Sequence, residues 1–284
     1  MKIILSRKGF DSAAGRYPSP LLIEENQLIS FPIPENDMDT GITYKDLDFN
    51  ENFTYANIMN DLGINDFENK YVHLDPDLNQ STIRNRDNDW RGIFGQCNSS
   101  QSHLSNQNVG KGDLFLFFGW FREVKRINNR YTYIKGTDKH IIWGYLQVGE
   151  IQSISRQAKY EKWKNMHPHY YCRNRDKNTA YISADKLSFD NLKPGYGCLK
   201  YNKPLVLTCD GQEKRSLWKL PSYFHPKFNT KMTFHEKIAA KNENPIWKLN
   251  SDHCTLQTVG RGQEFVITGN KKVEEWAQDL ILNN

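Results

Sequence analysis

The sequence has few of the features that mark secreted, membrane-spanning or zinc-ribbon proteins. None of its apolar stretches approaches the length of a membrane helix, so we expect no membrane partner. Five cysteines are scattered among 284 residues without a Cys-x-x-Cys pair, which is typical of reduced thiols and not of a disulfide framework. The apolar run after Lys2 has three residues, too few for a secretory signal. These absences predict a cytoplasmic protein.

Familiar phosphate-binding and catalytic motifs are also missing. The chain has no P-loop, no dinucleotide-binding fingerprint and no Gly-x-Ser-x-Gly nucleophile elbow. It has no internal repeat and no low-complexity linker, so we predict one compact domain over residues 1–284, with 1–110 and 111–284 as alternative sub-parts. The net charge of +5 favours polyanions as partners without requiring them.

The first dozen residues form a junction that can hold an anion. The apolar run 3–5 predicts a strand, which breaks into Arg7 and Lys8 around a glycine. Backbone N–H groups left unpaired at the glycine, together with the two cations, could bind a phosphate. Asp11 and Ser12 follow directly. The alternative is a charged turn at a sheet edge.

The apolar patterns predict an α+β fold. Runs at 113–121 and 141–148 indicate buried strands, and the segments between them flank Asn128-Asn129, which tolerate the positive φ of a tight hairpin turn. The spacing of the apolar residues over 273–281 predicts a C-terminal helix that Asn270 can cap. We expect a mixed or antiparallel β-rich core with a barrel-type centre and peripheral helices. Further strands are predicted at 2–5, 71–74, 179–183, 204–208 and 263–268, helices at 44–47 and 55–62, and a packed loop through Pro18, Pro20, Pro32 and Pro34.

The segment 73–77 is a candidate for catalytic chemistry. The period of a strand would place His73, Asp75 and Asp77 on one face, as an acid/base cluster or a divalent metal site. Asp-Pro-Asp is equally natural at a strand end, where the carboxylates accept backbone N–H bonds. Because mixed sets without fixed spacing are poor metal predictors, we expect no metal and no other cofactor.

Three later segments combine cations with aromatic rings, which are the ingredients of sequence-tolerant nucleic-acid binding. The hairpin carries Arg122, and residues 159–177 form the most basic and aromatic window, where we expect His-Pro-His at 167–169 to be two surface imidazoles around a turn. In the third segment Arg215 could pair with a phosphate and Trp218 could stack on a base. A solvated hairpin face, a structural ion pair and a core tryptophan are the alternatives.

Taken together, these segments resemble the nucleotide modification associated domain 3 family of bacteria and their phages. The likeness covers most of the chain and implies a setting in nucleotide modification, in a bacterial or host cytoplasm, without implying a reaction. Family members tend to have Gly-Gly where this chain has Gly15-Arg16. The matching runs are 5–12 (LSRKGFDS), 18–20 (PSP), 73–78 (HLDPDL), 112–121 (GDLFLFFGWF) and 215–221 (RSLWKLP).

The centre of the chain is also similar to PUA-like barrels, some of which take a flipped, modified base into an aromatic pocket. The likeness rests on a Gly-Asp step into a strand, a hairpin, and the strand 143–151 (WGYLQVGEI). It implies Phe118, Trp120 and Trp143 as candidate pocket walls. The alternative is that these rings fill the core.

Two functions follow, and the sequence leaves open whether the protein is an enzyme. In the first, an enzyme acts on a nucleotide base, with Arg7 and Lys8 on a phosphate, Asp11 or Asp75 as general base, and His73 or Asp77 orienting that base. In the second, a non-catalytic reader binds modified bases by stacking. A third possibility is an assembly partner without a ligand. The enzyme hypothesis predicts that its carboxylates line one cleft.

Overall fold

A computed structural model gives the fold of residues 1–35, 41–51, 53–171, 173–237, 246–259 and 264–284. Over these residues the chain is a strand-rich α+β protein, as predicted. The helices are α1 Tyr55–Asp61, α2 Asn98–Asn106, α3 Pro168–Tyr171 and α4 Lys271–Leu282, with 3₁₀ turns at Tyr44–Asp46, Gln80–Thr82, Lys162–Met166, Lys203–Leu205, Ser222–Phe224 and Pro226–Phe228. The strands are β1 Ile3–Arg7, β2 Ser19–Leu22, β3 Gln27–Leu28, β4 Ile33–Pro34, β5 Asp48–Asn50, β6 Phe53–Thr54, β7 Val72–His73, β8 Ile93–Gln96, β9 Leu114–Ile127, β10 Arg130–Tyr133, β11 Lys139–Ser153, β12 Thr179–Ser183, β13 Lys186–Leu187, β14 Asp190–Pro194, β15 Tyr196–Cys198, β16 Leu217–Pro221, β17 Lys231–Met232, β18 Trp247–Leu249, β19 His253–Gln257 and β20 Glu264–Thr268.

One large mixed sheet carries most of the fold. Its main path runs β17-β20-β1-β9-β11-β12-β8, and β2, β3, β10 and β15 pair with strands of this path or with one another. β1 and β9 are parallel, whereas β20 and β11 run antiparallel to them on either side. The path of described strands has two ends, so this sheet is open and does not close into a barrel.

β9 lies at the centre of the sheet because its sequence is apolar on both faces. Residues 114–118 and Phe121 are fully buried, as expected for a strand covered on both sides. The chain turns at Asn128 and Asn129, which have φ values of 50° and 62°, and returns as β10. The predicted hairpin is therefore confirmed, and β9 and β11 extend beyond the apolar runs that predicted them.

Two successive strands pair with the same edge of β9 and leave a gap between them. β1 follows β9 in parallel as far as Arg7, and β2 takes up the same edge from Ser19 onward. Residues 8–18 leave the sheet between these points. At the gap, β9 has Gly119, where a Cβ atom would lie 2.8 Å from the carbonyl oxygen of Lys8. Only glycine allows the departing loop to pass so close.

The C-terminal helix α4 is confirmed. Val273, Ala277 and Ile281 are buried on its apolar face, and the helix packs against β1. The side-chain oxygen of Asn270 accepts a hydrogen bond from the backbone N–H of Lys272 at 3.0 Å, so the predicted cap is also correct.

The predicted strand at 204–208 is wrong. Lys203–Leu205 is a 3₁₀ turn with proline in its first turn, a position where the missing N–H of proline is tolerated. Val206 and Thr208 each form an isolated bridge, to Ile141 and Trp218 respectively. The segment therefore lies along β11 without forming a strand.

Other differences arise where local signals are weak. Tyr44–Asp46 is a 3₁₀ turn and not an α-helix, and the proline-rich loop contains the short strands β2 and β4. Helix α2 has no apolar stripe in its sequence, because it consists mainly of small polar residues and buries only Gln101 and Leu104. Its place in the fold depends on tertiary contacts.

Candidate functional sites

The gap beside β9 opens into a cavity of about 540 Å³, which we call the gap cavity. Residues 8–18 form one wall and the segment before β16 forms another. The size is within the range of small-molecule sites in proteins. Its lining consists of Arg7, Phe10, Asp11, Ser12, Ala13, Trp120, His140, Glu213, Lys214, Arg215, Ser216, Thr258 and Val259.

Two arginines converge on the gap cavity. The Nη2 atom of Arg215 donates to the hydroxyl of Ser12 at 2.7 Å, and its guanidinium carbon lies 4.2 Å from the centroid of the Trp120 ring. Arg7 Nη2 donates to the carbonyl of Val259 at 3.2 Å. Burial lowers the pKa of both arginines, and among the described residues no carboxylate lies within ion-pair distance of Arg215. The cavity therefore presents partly desolvated positive charge.

Trp120 is held in place by Asp138. The indole N–H donates to Asp138 Oδ1, and the Arg122 guanidinium donates to the same carboxylate at 3.1 Å from Nε and 2.8 Å from Nη2. The charge of Arg122 is therefore matched by Asp138, and Arg122 does not line the cavity. Its position supports a role in orienting Trp120.

His140 is a cavity residue that the sequence analysis does not single out. Its Nδ1 atom accepts a hydrogen bond from the Trp218 indole N–H at 3.0 Å. Because an indole can only donate, His140 is neutral with its proton on Nε2. Burial, with smaller contributions from Arg7 and Arg215, holds the pKa of His140 well below its usual range. Strand register is the one signal that could have indicated His140, because this residue lies opposite Trp120 in the β9–β11 pairing.

Trp218 and Asp11 have structural roles, whereas the sequence predicts roles in base stacking and general base catalysis. Trp218 is fully buried and presents no face on which a base could stack. Asp11 lines the gap cavity, but its Oδ1 atom accepts the N–H groups of Ala13 and Ala14, both at 2.7 Å. The carboxylate therefore fixes the turn of the cavity wall.

Lys8 directly follows β1, and its side chain has different partners from that of Arg7. Its Nζ atom is 3.5 Å from Glu264 Oε1 and 4.0 Å from Asp75 Oδ2, and it lies over the Phe94 ring at 4.4 Å. The fold thus brings Lys8 and Asp75 together from distant parts of the sequence, but away from the gap cavity.

Asp75 is at the centre of a buried histidine cluster, formed by His73, Asp75, His167 and His169. Its Oδ1 atom accepts the backbone N–H of Gly95 at 2.6 Å and lies 3.3 Å from His167 Nε2, while Oδ2 lies 3.9 Å from His169 Nε2. Burial by itself would raise the pKa of Asp75, but His167 and Lys8 hold it well below its usual range. The prediction that His167 and His169 are surface imidazoles is wrong.

The Nδ1 atoms of His73 and His169 contact polar side chains outside this cluster. His73 Nδ1 lies 3.0 Å from Glu35 Oε2, and His169 Nδ1 lies 2.6 Å from Asn178 Oδ1. Burial lowers the pKa of His169 to about 3. One potential ligand atom from each of His73, Asp75 and His169 lies within 4.8 Å of the other two.

Asp77 lies next to this cluster but has a partner of its own. It accepts two hydrogen bonds from Arg86, at 2.6 and 2.8 Å, and its backbone forms a bridge with Ile93. β7 ends at His73, so the strand period does not continue to Asp77. The strand period predicted for the three residues therefore does not extend to Asp75 or Asp77, and Asp11 lines a different cavity from Asp75 and Asp77.

Trp143 lies in a separate, small space. It is buried and lines a cavity of about 40 Å³ together with Asp75, Asp77 and Cys198. The indole N–H has no hydrogen-bond partner within the part of the chain that the structure describes. This cavity has room for only a few water molecules, so Trp143 does not form a base-sized pocket.

The structure thus defines an α+β protein with a basic, aromatic cavity and a separate buried histidine cluster. The family described as nucleotide modification associated domain 3 matches residues 2–268, and the chain belongs to this family. No curated protein and no solved structure is significantly similar to it. Among the described residues, no helix combines the length and the apolar character needed to cross a bilayer.

Proposed function

We propose that this protein binds a nucleotide, free or within a nucleic acid, in the gap cavity. The observation that carries the proposal is the convergence of Arg7 and Arg215 beside the Trp120 indole on one cavity. Guanidinium groups bind phosphates through two parallel N–H donors, and bases stack on indoles and on guanidinium planes. Membership of the family supports a role in nucleotide modification, and we propose that this role belongs to the cytoplasm of a bacterium or of a phage's host.

The cavity favours a phosphate near the arginines and a base near Trp120. Arg215 already lies on the indole face, so a base can stack on the outer face of the guanidinium or displace it. The Nε2–H group of neutral His140 is a donor on the same wall, suited to a carbonyl or ring nitrogen of a base. A base and its phosphate are therefore each provided with complementary groups.

If the protein is an enzyme, we propose Asp11 as the general base, because Asp11 lines the gap cavity and Asp75 and Asp77 do not. The non-catalytic version is a reader of modified bases, for which the similarity to PUA-like barrels is the argument, with Trp120 and not Trp143 as the stacking residue. Incubation with a DNA duplex and with free nucleotides, followed by mass spectrometry of the bases, separates the two. A new base species that is lost in Asp11→Asn supports the enzyme, whereas unchanged bases with retained binding support the reader.

The binding proposal is tested with a fluorescent single-stranded oligonucleotide and with mononucleotides as competitors. Arg215→Met should weaken binding by about 10- to 150-fold, since a hydrogen bond to a charged group contributes about 1.5–3 kcal/mol. Trp120→Leu should weaken binding through lost stacking. Arg84→Met is the matched control, because Arg84 is an exposed arginine paired with Asp48 that does not line the gap cavity. Equal affinities for wild type, Arg215→Met and Arg84→Met would refute the proposal.

A further inference from the structure

We propose that His73, Asp75 and His169 bind one divalent first-row transition metal ion. They come from β7, the segment after it, and α3, and their candidate ligand atoms lie within 4.8 Å of one another. Two imidazoles and one carboxylate form a donor set that suits iron, zinc and their neighbours and leaves coordination positions open. The inference does not depend on nucleotide binding.

The hydrogen bonds of His169 fix the tautomer that a metal needs. The side-chain amide of Asn178 is oriented because its Nδ2 donates to the carbonyl of His169 at 2.8 Å, so its Oδ1 faces the ring as an acceptor. His169 Nδ1 must therefore carry the proton, and Nε2 presents a lone pair. This lone pair lies 3.9 Å from Asp75 Oδ2. Two acceptors that face each other in a buried site favour a cation between them.

His73 has the same arrangement. Its Nδ1 atom lies at hydrogen-bond distance from the Glu35 carboxylate, 3.0 Å away, and a proton held there leaves Nε2 available as a ligand. A histidine that donates its other N–H to a carboxylate is the usual second layer of a metal site. Glu35 is itself held by Arg175 Nη2 at 3.1 Å.

The Asp75 carboxylate is also oriented in advance. Oδ1 accepts the Gly95 N–H and faces His167, whose Nδ1 accepts the backbone N–H of His169 at 3.4 Å. With Nδ1 acting as acceptor, His167 Nε2 carries the proton, and it lies 3.3 Å from Oδ1 without forming a hydrogen bond of good geometry. Oδ2 is left for the ion. We therefore assign His167 as a positioning residue and not as a ligand.

The position of Lys8 leaves Oδ2 of Asp75 available to an added cation. The carboxylates of Asp75 and Glu264 share Lys8, and Glu35 pairs with Arg175. Lys8 Nζ lies closer to Glu264 than to Asp75, so its ammonium can remain with Glu264 while a metal ion occupies Asp75 Oδ2.

The test uses the full chain, freed of metal by chelation and titrated with Zn²⁺ and with Co²⁺. We expect uptake of about one ion per chain, visible absorption bands of Co²⁺ with nitrogen ligands, and no comparable uptake of Mg²⁺, which prefers oxygen ligands. His169→Gln should abolish the tight uptake. Glu35→Gln should weaken it about 10- to 100-fold, the usual effect of losing an outer partner of a ligand.

The matched control is His253→Ala, because His253 also pairs with a carboxylate, Asp252, at 2.7 Å but lies at the surface. This variant should bind metal like the wild type. If His169→Gln does not fold, Glu35→Gln and the rise in the melting temperature of the wild type with Zn²⁺ provide the readout. Absence of uptake, equal uptake of Mg²⁺, or loss of uptake in His253→Ala with retention in Glu35→Gln would overturn the proposal.

Discussion

Two buried histidines beside Arg7 should make the fold sensitive to mild acid. His140 Nδ1 accepts the Trp218 indole N–H, and His235 Nε2 accepts the backbone N–H of Val259 at 3.1 Å. A proton added to either nitrogen would replace an acceptor by a donor. Burial lowers the pKa of His235 to about 4 and holds that of His140 well below its usual range, and Arg7 lowers both further.

The sign of the effect follows from the direction of these shifts. An unfolded histidine has a pKa of about 6.5, which is above the folded value in both cases. The stabilisation is therefore complete above about pH 6.5 and is lost as the pH falls toward the folded pKa. About pH 5 is roughly 1.5 units below the unfolded pKa, and at this pH each histidine has lowered the free energy of unfolding by about 2 kcal/mol. Together they remove about 4 kcal/mol from a stability that is typically about 5–15 kcal/mol.

The assay is urea unfolding at about pH 7 and about pH 5, in a chelating buffer. His140→Gln and His235→Gln should each reduce the difference in unfolding free energy between the two pH values by about 2 kcal/mol, although each variant is also less stable at neutral pH. Other buried groups also contribute to the change of the unfolding free energy with pH, so each variant is compared with the wild type. The reasoning is refuted if both variants keep the full pH dependence of the wild type.

Three further predictions concern single contacts. Arg86→Met leaves the buried Asp77 carboxylate without its partner and should lower the unfolding free energy in urea by about 3–5 kcal/mol; a change below about 1 kcal/mol would contradict this ion pair. Gly95→Ala would place a methyl group 2.2 Å from the His169 ring, so it should abolish metal uptake in the Co²⁺ titration, and normal uptake would contradict this close packing. Ile281→Ala removes a fully buried side chain of α4 and should cost about 2–5 kcal/mol in the same urea assay, whereas a stability equal to that of the wild type would show that α4 is not anchored there.

The sequence predicts the elements whose signal is local. The apolar runs of β9 and β11, the hairpin at Asn128-Asn129 and the cap at Asn270 each depend on neighbouring residues. Elements fixed by tertiary contacts are missed, because α2 is polar apart from Leu104 and β8 is a short strand that pairs with β12 far along the chain.

In the candidate sites too, residues close in sequence are predicted together, whereas contacts between distant residues are not. Arg7, Asp11 and Ser12 line one cavity, and the sequence indicates this because they are close together in the chain, at the end of β1 and in the loop that follows it. The association of Asp75 with His169 joins residues almost a hundred positions apart, and neither spacing nor composition indicates it. His167 and His169 belong to a basic window, which suggests a surface, yet both are buried against Asp75.

The two sites are distinct because Arg7 ends β1 and Lys8, the next residue, still donates its backbone N–H to the Phe118 carbonyl at 2.8 Å. Side chains of adjacent residues in a strand point to opposite faces, so one pair of cations cannot hold one phosphate here. Arg7 faces the gap cavity with Arg215, whereas Lys8 faces Glu264 and Asp75. The departure of the chain from β9 after Arg7 creates the cavity on one side, and the same strand end provides a cation for the histidine cluster on the other. The proposed phosphate site and the proposed metal site therefore share no ligand, so each can be altered with the other left intact.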